Sequence, residues 1–571
     1  MASGGGDSLR WRLYLLGAGL LFVICLTAAV VMASRAVIAS RAQPAAYASR
    51  QVPFTDLNPL GANFFLTQEV ERWKLERTLA MARDAGIGWV KQQFAWEEIE
   101  PEQKGVYQTP GGGSSWAKFD QIVEACEVHG LQIVARLDRP PSWTREDDSN
   151  PQRPPDNLAD YGDYVYAFVE RYRGRIGYIQ IWNEPNLYQE WGNRPVDPEG
   201  YVELLKVAYT RAKEADPNIR VLSAPLAITL GEPHPEPGRW SAMNDLDYLE
   251  AMYEAGARDY FDIYSANAFG MDRPPEDPPD ADVLNFQRVL LHREIMERHG
   301  DADKPIWFNE FGWNAAPETI PREDLIWQRV TEAAQVEYTL RAMEMAREEW
   351  PWAGVFMIWY FRQVGNVAPE RADYYFRLVD PDFTPRPLYL ALVSRASAPV
   401  VPGPGLYQES NPAVTLSGRW ADVLDNNAFG RAQVASSTPG NRLVFHFRGS
   451  GVNLLTRRSE SGGRLYVRLD GASVAGLSVD AGGRSYVDLQ GPASSVPMRM
   501  NLVANEGVGE HRLELEVGSI DGVAGECVVD ALEVLAEKRS VPVVELVVSA
   551  VATLLSGWWL WRSWRRLRWV I

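Results

Sequence analysis

Eight short, mostly apolar runs recur along residues 57–396, with amphipathic stretches between them. The runs are residues 60–65, 89–94, 131–137, 178–182, 220–224, 261–266, 305–308 and 354–360. They are too short for helices, and Tyr178 to Trp182, largely apolar, β-branched or aromatic, has the character of a buried strand. Between them, residues 71–85, 118–129, 158–173, 198–215, 283–299 and 327–350 carry apolar side chains at helical spacing. Eight strands alternating with helices predict a parallel α/β fold closed into a (β/α)8 TIM barrel. An open doubly wound sheet is the other arrangement such alternation allows. No glycine-rich nucleotide turn follows the first strand, which weighs against it.

The 571 residues exceed what one core accommodates, and the flanks of the barrel segment have a different texture. Residues 397–405 are rich in proline and read as a semi-rigid linker. Residues 406–537 alternate short apolar runs with Gly, Ser and Asp turns, at 442–447, 452–456, 464–469, 484–489, 512–517 and 528–535. Asp470-Gly471 is a two-residue hairpin signal. This part is expected to be an all-β, jelly-roll-like sandwich, serving either as a carbohydrate-binding accessory module or as a rigid spacer.

Both ends are apolar. Residues 13–33 hold no charge and are long enough to span a bilayer, with Arg10 and Arg12 before them and Arg35 and Arg41 after. With no clear Ala-x-Ala site following, an uncleaved anchor in residues 1–33 is the favoured reading and a cleaved signal peptide the other. Residues 34–56 form an Ala-rich spacer. At the far end, the apolar run 541–561 precedes a tail, 562–571, carrying Arg562, Arg565, Arg566 and Arg568. Trp558, Trp559, Trp561 and Trp564 beside these arginines suit a membrane-interface belt, and the arginines place that end in the cytoplasm. A transmembrane helix at each end then leaves barrel and sandwich on the extracytoplasmic side of the cell membrane.

A net charge of −18 argues against a nucleic-acid partner. Three scattered cysteines, Cys25, Cys126 and Cys527, make no disulfide framework. With six histidines and no clustered ligand pattern, neither a metal nor another cofactor is called for.

Two strand tips carry the chemistry. Tyr178 to Trp182 runs into Asn183-Glu184-Pro185, where Pro185 ends any sheet ladder; Pro305 to Phe308 runs into Asn309-Glu310-Phe311-Gly312. On strands four and seven of a barrel, both glutamates rise toward one crevice. A single glutamate at a strand end is more often a loop-fixing ion-pair partner. Two of them, each preceded by Asn, suit acid and nucleophile (or base) at one glycosidic bond. The segments after the strands are long, and Trp143, Trp191, Trp240 and Trp313 lie in or near them.

Trp182-Asn183-Glu184-Pro185-Asn186 resembles the acid/base motif of glycoside hydrolases whose barrels carry catalytic glutamates on strands four and seven, closest to the family 39 and family 5 types. Phe308-Asn309-Glu310-Phe311-Gly312 is similar to their nucleophile motif. Phe94-Ala95-Trp96-Glu97-Glu98-Ile99-Glu100-Pro101 with Gly105-Val106-Tyr107 resembles their second-strand segment, and Asp382-Phe383-Thr384-Pro385-Arg386-Pro387-Leu388-Tyr389 the stretch that closes their barrel. The resemblance covers residues 57–396. It implies Glu184 as general acid/base, Glu310 as nucleophile, Asn183 as partner of the sugar 2-hydroxyl and Trp359 as the ring platform; without it, core packing explains Trp359 equally well. Asn267, Trp143 and Trp313 complete the expected substrate-binding set. The sequence departs from the pattern in two places: Asn267-Ala268-Phe269 stands where His-x-Tyr is common on strand six, and Lys91 or Gln93 stands near a common Arg on strand two. The expectation is a membrane-anchored retaining glycosidase acting on β-linked glycans by double displacement. The alternatives are a catalytically silent barrel that binds envelope carbohydrate, and a transglycosylase. Carbohydrate and membrane are the partners implied; no protein partner is indicated.

Overall fold

The structure, a computed structural model, describes residues 4–41, 52–236, 239–365, 367–397, 400–504, 507–536 and 543–567. Parts of the expected spacer (42–51), linker (398–399) and basic tail (568–571, with Arg568) lie outside the described residues, as do 541–542 of the C-terminal apolar run.

Eight parallel strands build the central sheet: β1 (Leu60–Phe64), β2 (Trp89–Ala95), β3 (Gln132–Asp138), β4 (Tyr178–Ile181), β5 (Arg220–Leu222), β6 (Tyr264–Phe269), β7 (Ile306–Gly312) and β8 (Ala353–Ile358). They pair in the order β5-β4-β3-β2-β1-β8-β7-β6, and a parallel bridge between Leu222 and Ile263 joins the two edges. The sheet is therefore a closed barrel and not an open doubly wound sheet. Every expected run becomes a strand, with shifted ends. The sixth reaches Phe269 and so takes in Asn267, and the seventh runs on to Gly312. The fourth stops at Ile181 because Trp182 turns into the left-handed region (φ 72°), which puts Glu184 in the loop beyond rather than at the strand tip.

After the N-terminal helix α1 (Gly4–Arg41), helices α2 (Arg72–Asp84), α3 (Ala117–Val128), α4 (Leu158–Arg171), α5 (Pro198–Ala215), α6 (Asp245–Glu254), α7 (Val289–Arg298), α8 (Glu332–Glu349) and α9 (Pro387–Ala396) follow the chain through the barrel domain. Helix α6 falls between the runs 220–224 and 261–266, where no amphipathic stretch is expected from the sequence. Asn244 caps it by accepting the Leu246 N–H at 2.9 Å, and it buries Tyr248, Leu249 and Met252.

The N-terminal mouth of the barrel is plugged. Phe54, Trp89, Tyr178, Trp307, Val355 and Met357 pack there as one cluster, joined by Ala432 and Leu424 from the following domain. Space is tight: a Cβ on Gly354 would lie 2.2 Å from Trp307 Cδ1. That second domain consists of antiparallel sheets around Leu443, Phe445, Leu454, Val467 and Leu515. Gly405–Gln408, Ala531–Leu535, Gly451–Thr456 and Met498–Val503 form one sheet. The path through Val414–Ser417, Arg442–Gly449, Gly509–Ile520, Arg464–Leu469 and Ser485–Asp488 forms the larger one. Asp470 and Gly471 make the expected hairpin turn, both with positive φ (51° and 82°). The domain docks on the plugged end. The Asp56 carboxylate accepts from the Gln408 N–H (2.8 Å) and from Asn411 Nδ2 (2.7 Å), and Arg220 pairs with Asp422 at 2.8 Å.

Helix α10 (Val543–Leu567) lies against α1, with Gly19 facing Leu560 and Gly557 facing Phe22. Among the described residues one helix, α1, is long and apolar enough to cross a membrane, over Arg12–Val31; a signal sequence has the same features.

Candidate active site

The open end of the barrel carries the long loops and a collar of aromatic side chains. Phe65, Phe269, Met271, Trp327, Trp359, Tyr360 and Phe376 pack together there, contributed by segments after β1, β6, β7 and β8. Within this collar the interior turns polar.

Glu310 is brought inward by an irregularity in β7. On β6, Ala266 pairs with Phe308 but Asn267 pairs with Glu310; on β8, Phe356 pairs with Phe308 and Ile358 with Phe311. A regular strand sends consecutive side chains to opposite faces, and an extra residue breaks that alternation. Asn309 and Glu310 are both buried and both engage the barrel interior (1% and 6% exposed). Lys91 Nζ reaches Glu310 Oε1 at 3.1 Å and also donates to Asn309 Oδ1. Asn309 Nδ2 donates to Gln180 Oε1 (2.8 Å), and Gln180 Nε2 donates to the Trp182 carbonyl (2.7 Å). A continuous chain of hydrogen bonds thus runs from the Glu310 carboxylate through β2 and β7 to the base of the Glu184 loop.

That loop is held in a costly conformation. Trp182 (φ 72°) and Glu184 (φ 38°) both adopt left-handed backbone, at about 1–3 kcal/mol each for such residues. Glu184 N–H donates to the Pro225 carbonyl (3.0 Å), and Trp182 Nε1 to the Glu190 carbonyl (3.1 Å). The turned loop aims Glu184 across the crevice, where its Oε1 accepts from Asn267 Nδ2 at 2.6 Å. Asn267 therefore links the two glutamates, with its backbone paired to Glu310 and its side chain bonded to Glu184.

The two carboxylates are not equivalent. Burial pushes the Glu184 carboxyl up to about 8, and the charges of Glu310 and Glu190 push in the same direction against Asn267 and Lys91. Glu184 consequently holds a proton at neutral pH while keeping part of its surface open to the crevice. Burial also lowers the Lys91 ammonium, against the opposing pull of Glu310. The Lys91–Glu310 pair is almost fully enclosed, at 3% and 8% side-chain exposure. Breaking such a pair leaves a buried charge uncompensated. Lys91→Met is expected to cost about 3–5 kcal/mol of stability at neutral pH. A urea titration reads this directly, and an unchanged midpoint with an unchanged slope would reject it.

The other expected residues are distributed unevenly. Asn183 joins the cluster: it is buried, it hydrogen-bonds the Glu190 carboxylate, and its Oδ1 has no partner. Asn267 Oδ1 and Trp359 Nε1 are likewise buried without partners. Trp359 stands just past β8, partly exposed, edge-on to Phe65 at 6.0 Å, with a cis peptide bond to Tyr360. Trp143 is half-buried outside this cluster; it donates to the Glu100 carbonyl (2.8 Å) and packs edge-on against Trp96. Trp313 corrects the expectation of a binding residue. Its ring is 1% exposed, pressed over Gly270, with Nε1 donating to the Arg273 carbonyl at 2.8 Å, so it offers no face to a ligand.

Several polar neighbours escaped sequence reasoning. Gln180, Arg136 and Asp138 sit in otherwise apolar strands, and Glu190 lies in the loop after β4, bonded to Gln152 Nε2 at 2.9 Å. Burial raises the Glu190 carboxyl, with Arg136 opposing. The available signal was polar side chains at inward positions of buried strands, as in Ile179-Gln180-Ile181 and Ala135-Arg136-Leu137-Asp138. Among the described residues no group of His, Cys, Asp and Glu is arranged to hold a metal ion.

No family model and no curated protein matches the chain. Solved structures with a similar arrangement include a family 39 glycoside hydrolase from the gut symbiont Bacteroides cellulosilyticus WH2, at 19% identity over 82% of each chain with a TM-score of 0.45. A GH39 enzyme from Xanthomonas axonopodis pv. citri is 14% identical over 84% of this chain and 99% of its own, with a TM-score of 0.44. An exo-β-1,4-mannosidase from Opitutaceae bacterium strain TAV5 is 17% identical over 62% of this chain and 64% of its own, with a TM-score of 0.41.

Proposed function

We propose that the protein is a retaining glycoside hydrolase that cleaves β-linked glycans by double displacement. The observation that carries this reading is the asymmetry of two carboxyl groups meeting around Asn267. Glu184 is kept protonated by burial and by negative neighbours, while Glu310 is salt-bridged to Lys91. One group is ready to give a proton and the other to give an electron pair, as cleavage of an acetal C–O bond requires.

In the first step Glu310 attacks the anomeric carbon as that carbon's bond to the leaving oxygen breaks, and Glu184 protonates the leaving oxygen. Glu184, now ionised, then takes a proton from water, whose oxygen displaces Glu310 from the sugar. The unpartnered Oδ1 atoms of Asn183 and Asn267 accept sugar hydroxyls, and the partly exposed Trp359 supplies an apolar face at the rim. No cofactor enters this scheme.

The sandwich serves as a spacer, a role supported by its docking on the plugged end of the barrel, away from the crevice. The paired terminal helices α1 and α10 anchor the protein in the cell membrane, with barrel and sandwich outside the cytoplasm; the apolar span of α1 and the tryptophan–arginine end of α10 support this.

The test is a panel of aryl glycosides and polysaccharides, with the anomer of the first-formed product followed by NMR. Hydrolysis with retention is expected. Inversion would overturn the double displacement, binding without turnover would mark a silent carbohydrate-binding barrel, and longer products would mark a transglycosylase.

A further inference from the structure

A carboxylic acid has two oxygens, and a general acid is useful only when the proton sits on the one facing the leaving group. Nothing in the covalent chemistry of Glu184 makes that choice. In the structure Oε1 accepts the Asn267 amide N–H at 2.6 Å, a short bond for an N–H donor. An oxygen whose in-plane lone pair is committed to that donor is the unfavourable site for the acidic proton, which leaves Oε2 as the oxygen that carries it.

The backbone fixes Asn267 firmly enough to impose this. It lies inside β6, 2% exposed, with its own backbone paired in register to Glu310 just past the irregularity between Ala266 and Asn267. The donor is an amide, so it does not titrate, and its bond to Glu184 is stronger when that carboxyl is ionised. The charged groups acting on Glu184 come from the other walls: Glu310 on β7, Glu190 in the loop after β4, Lys91 on β2 and Arg136 on β3.

We infer that Asn267 is a positioning residue that places the acidic proton on Oε2 of Glu184, toward the scissile oxygen, in addition to contacting substrate. The inference rests on the hydrolase reading above. In the step it serves, the Oε2–H proton passes to the glycosidic oxygen as the electron pair of the breaking C–O bond moves onto that oxygen. The new bond to the anomeric carbon comes from Glu310, and Oε1 stays bonded to the amide throughout.

Leaving-group dependence separates this role from simple support of the fold. A dinitrophenolate leaves without a proton, whereas a phenolate needs one. Asn267→Ala is expected to lower kcat/KM on a phenyl glycoside about 100-fold more than on the dinitrophenyl glycoside of the same sugar, because the loss of any sugar contact is common to both. The alkaline limb of its pH profile should move upward, because the amide bond favours ionised Glu184. Asn267→Asp, matched in shape and unable to donate once ionised, should show the same selectivity and covers the case in which the alanine variant folds poorly. Equal losses on the two substrates, or an alkaline limb that stays in place, would overturn the positioning role while leaving the hydrolase reading intact. A wild-type protein without turnover on the whole panel would overturn both.

Discussion

Glu310→Gln is expected to lower kcat by at least about four orders of magnitude while leaving the protein folded. Glutamine keeps the size of the side chain and an oxygen for Lys91 Nζ, which lies 3.1 Å from Glu310 Oε1. It cannot supply the anionic oxygen that attacks the anomeric carbon. Because Lys91 also binds Asn309, and Asn309 binds Gln180, the surrounding hydrogen bonds remain available to the variant. Initial rates on the best substrate of the panel, together with a thermal melt, decide the matter. A rate within tenfold of wild type, from a preparation free of contaminating enzyme, would remove Glu310 as nucleophile.

The second large effect falls on Glu184. Glu184→Ala is expected to slow hydrolysis of substrates with poor leaving groups by about 10²–10⁴-fold, because both the acid of the first step and the base of the second are lost. With a dinitrophenyl glycoside the first step survives, the glycosyl-enzyme accumulates, and added azide should restore turnover by replacing the water that no longer has a base. The product is then a glycosyl azide of retained configuration. Absence of azide rescue would point to a different acid/base. The pH profile makes the same assignment from another side. Burial and the charges of Glu310 and Glu190 lift the Glu184 carboxyl to about 8. The protonated form is the active one in the first step, so kcat/KM of the wild type should fall as pH rises through about 8. The two carboxyls interact, so that limb belongs to the pair rather than to either residue. The alanine variant should lack it.

Much of the barrel was legible because its strands are buried on both faces and its helices on one, and burial writes its period into the chain. The ends were harder. Helix α6 starts at an Asn cap inside a stretch rich in turn residues, and local composition there outweighs a short amphipathic pattern. Trp313 lies beside a glutamate-bearing strand in a loop-rich region, where a tryptophan reads as a platform. Its burial depends on the empty side of Gly270, which is distant in the chain.

For the candidate site, residues at the strand ends could be nominated from their type and position, and Glu184, Asn183 and Glu310 were. Lys91 could be noted only as standing near an expected arginine. Its partnership with Glu310 and Asn309 joins strands β2 and β7, 218 residues apart in the chain for the contact with Asn309.

By itself the chain determined the alternation of strand and helix, the change to an all-β domain, the apolar ends and the two Asn-Glu pairs that follow apolar runs. Each is a property of neighbouring residues, set by periodicity, turn chemistry and hydropathy. Only the tertiary structure decided that the sheet closes, that β7 bulges so Asn309 and Glu310 both serve the interior, and that Asn267 pairs its backbone with Glu310 and its side chain with Glu184. It also decided which of the two carboxyls has its proton affinity raised. Proton affinity depends on how deeply a group is buried and which charges surround it, and residues remote in sequence set both.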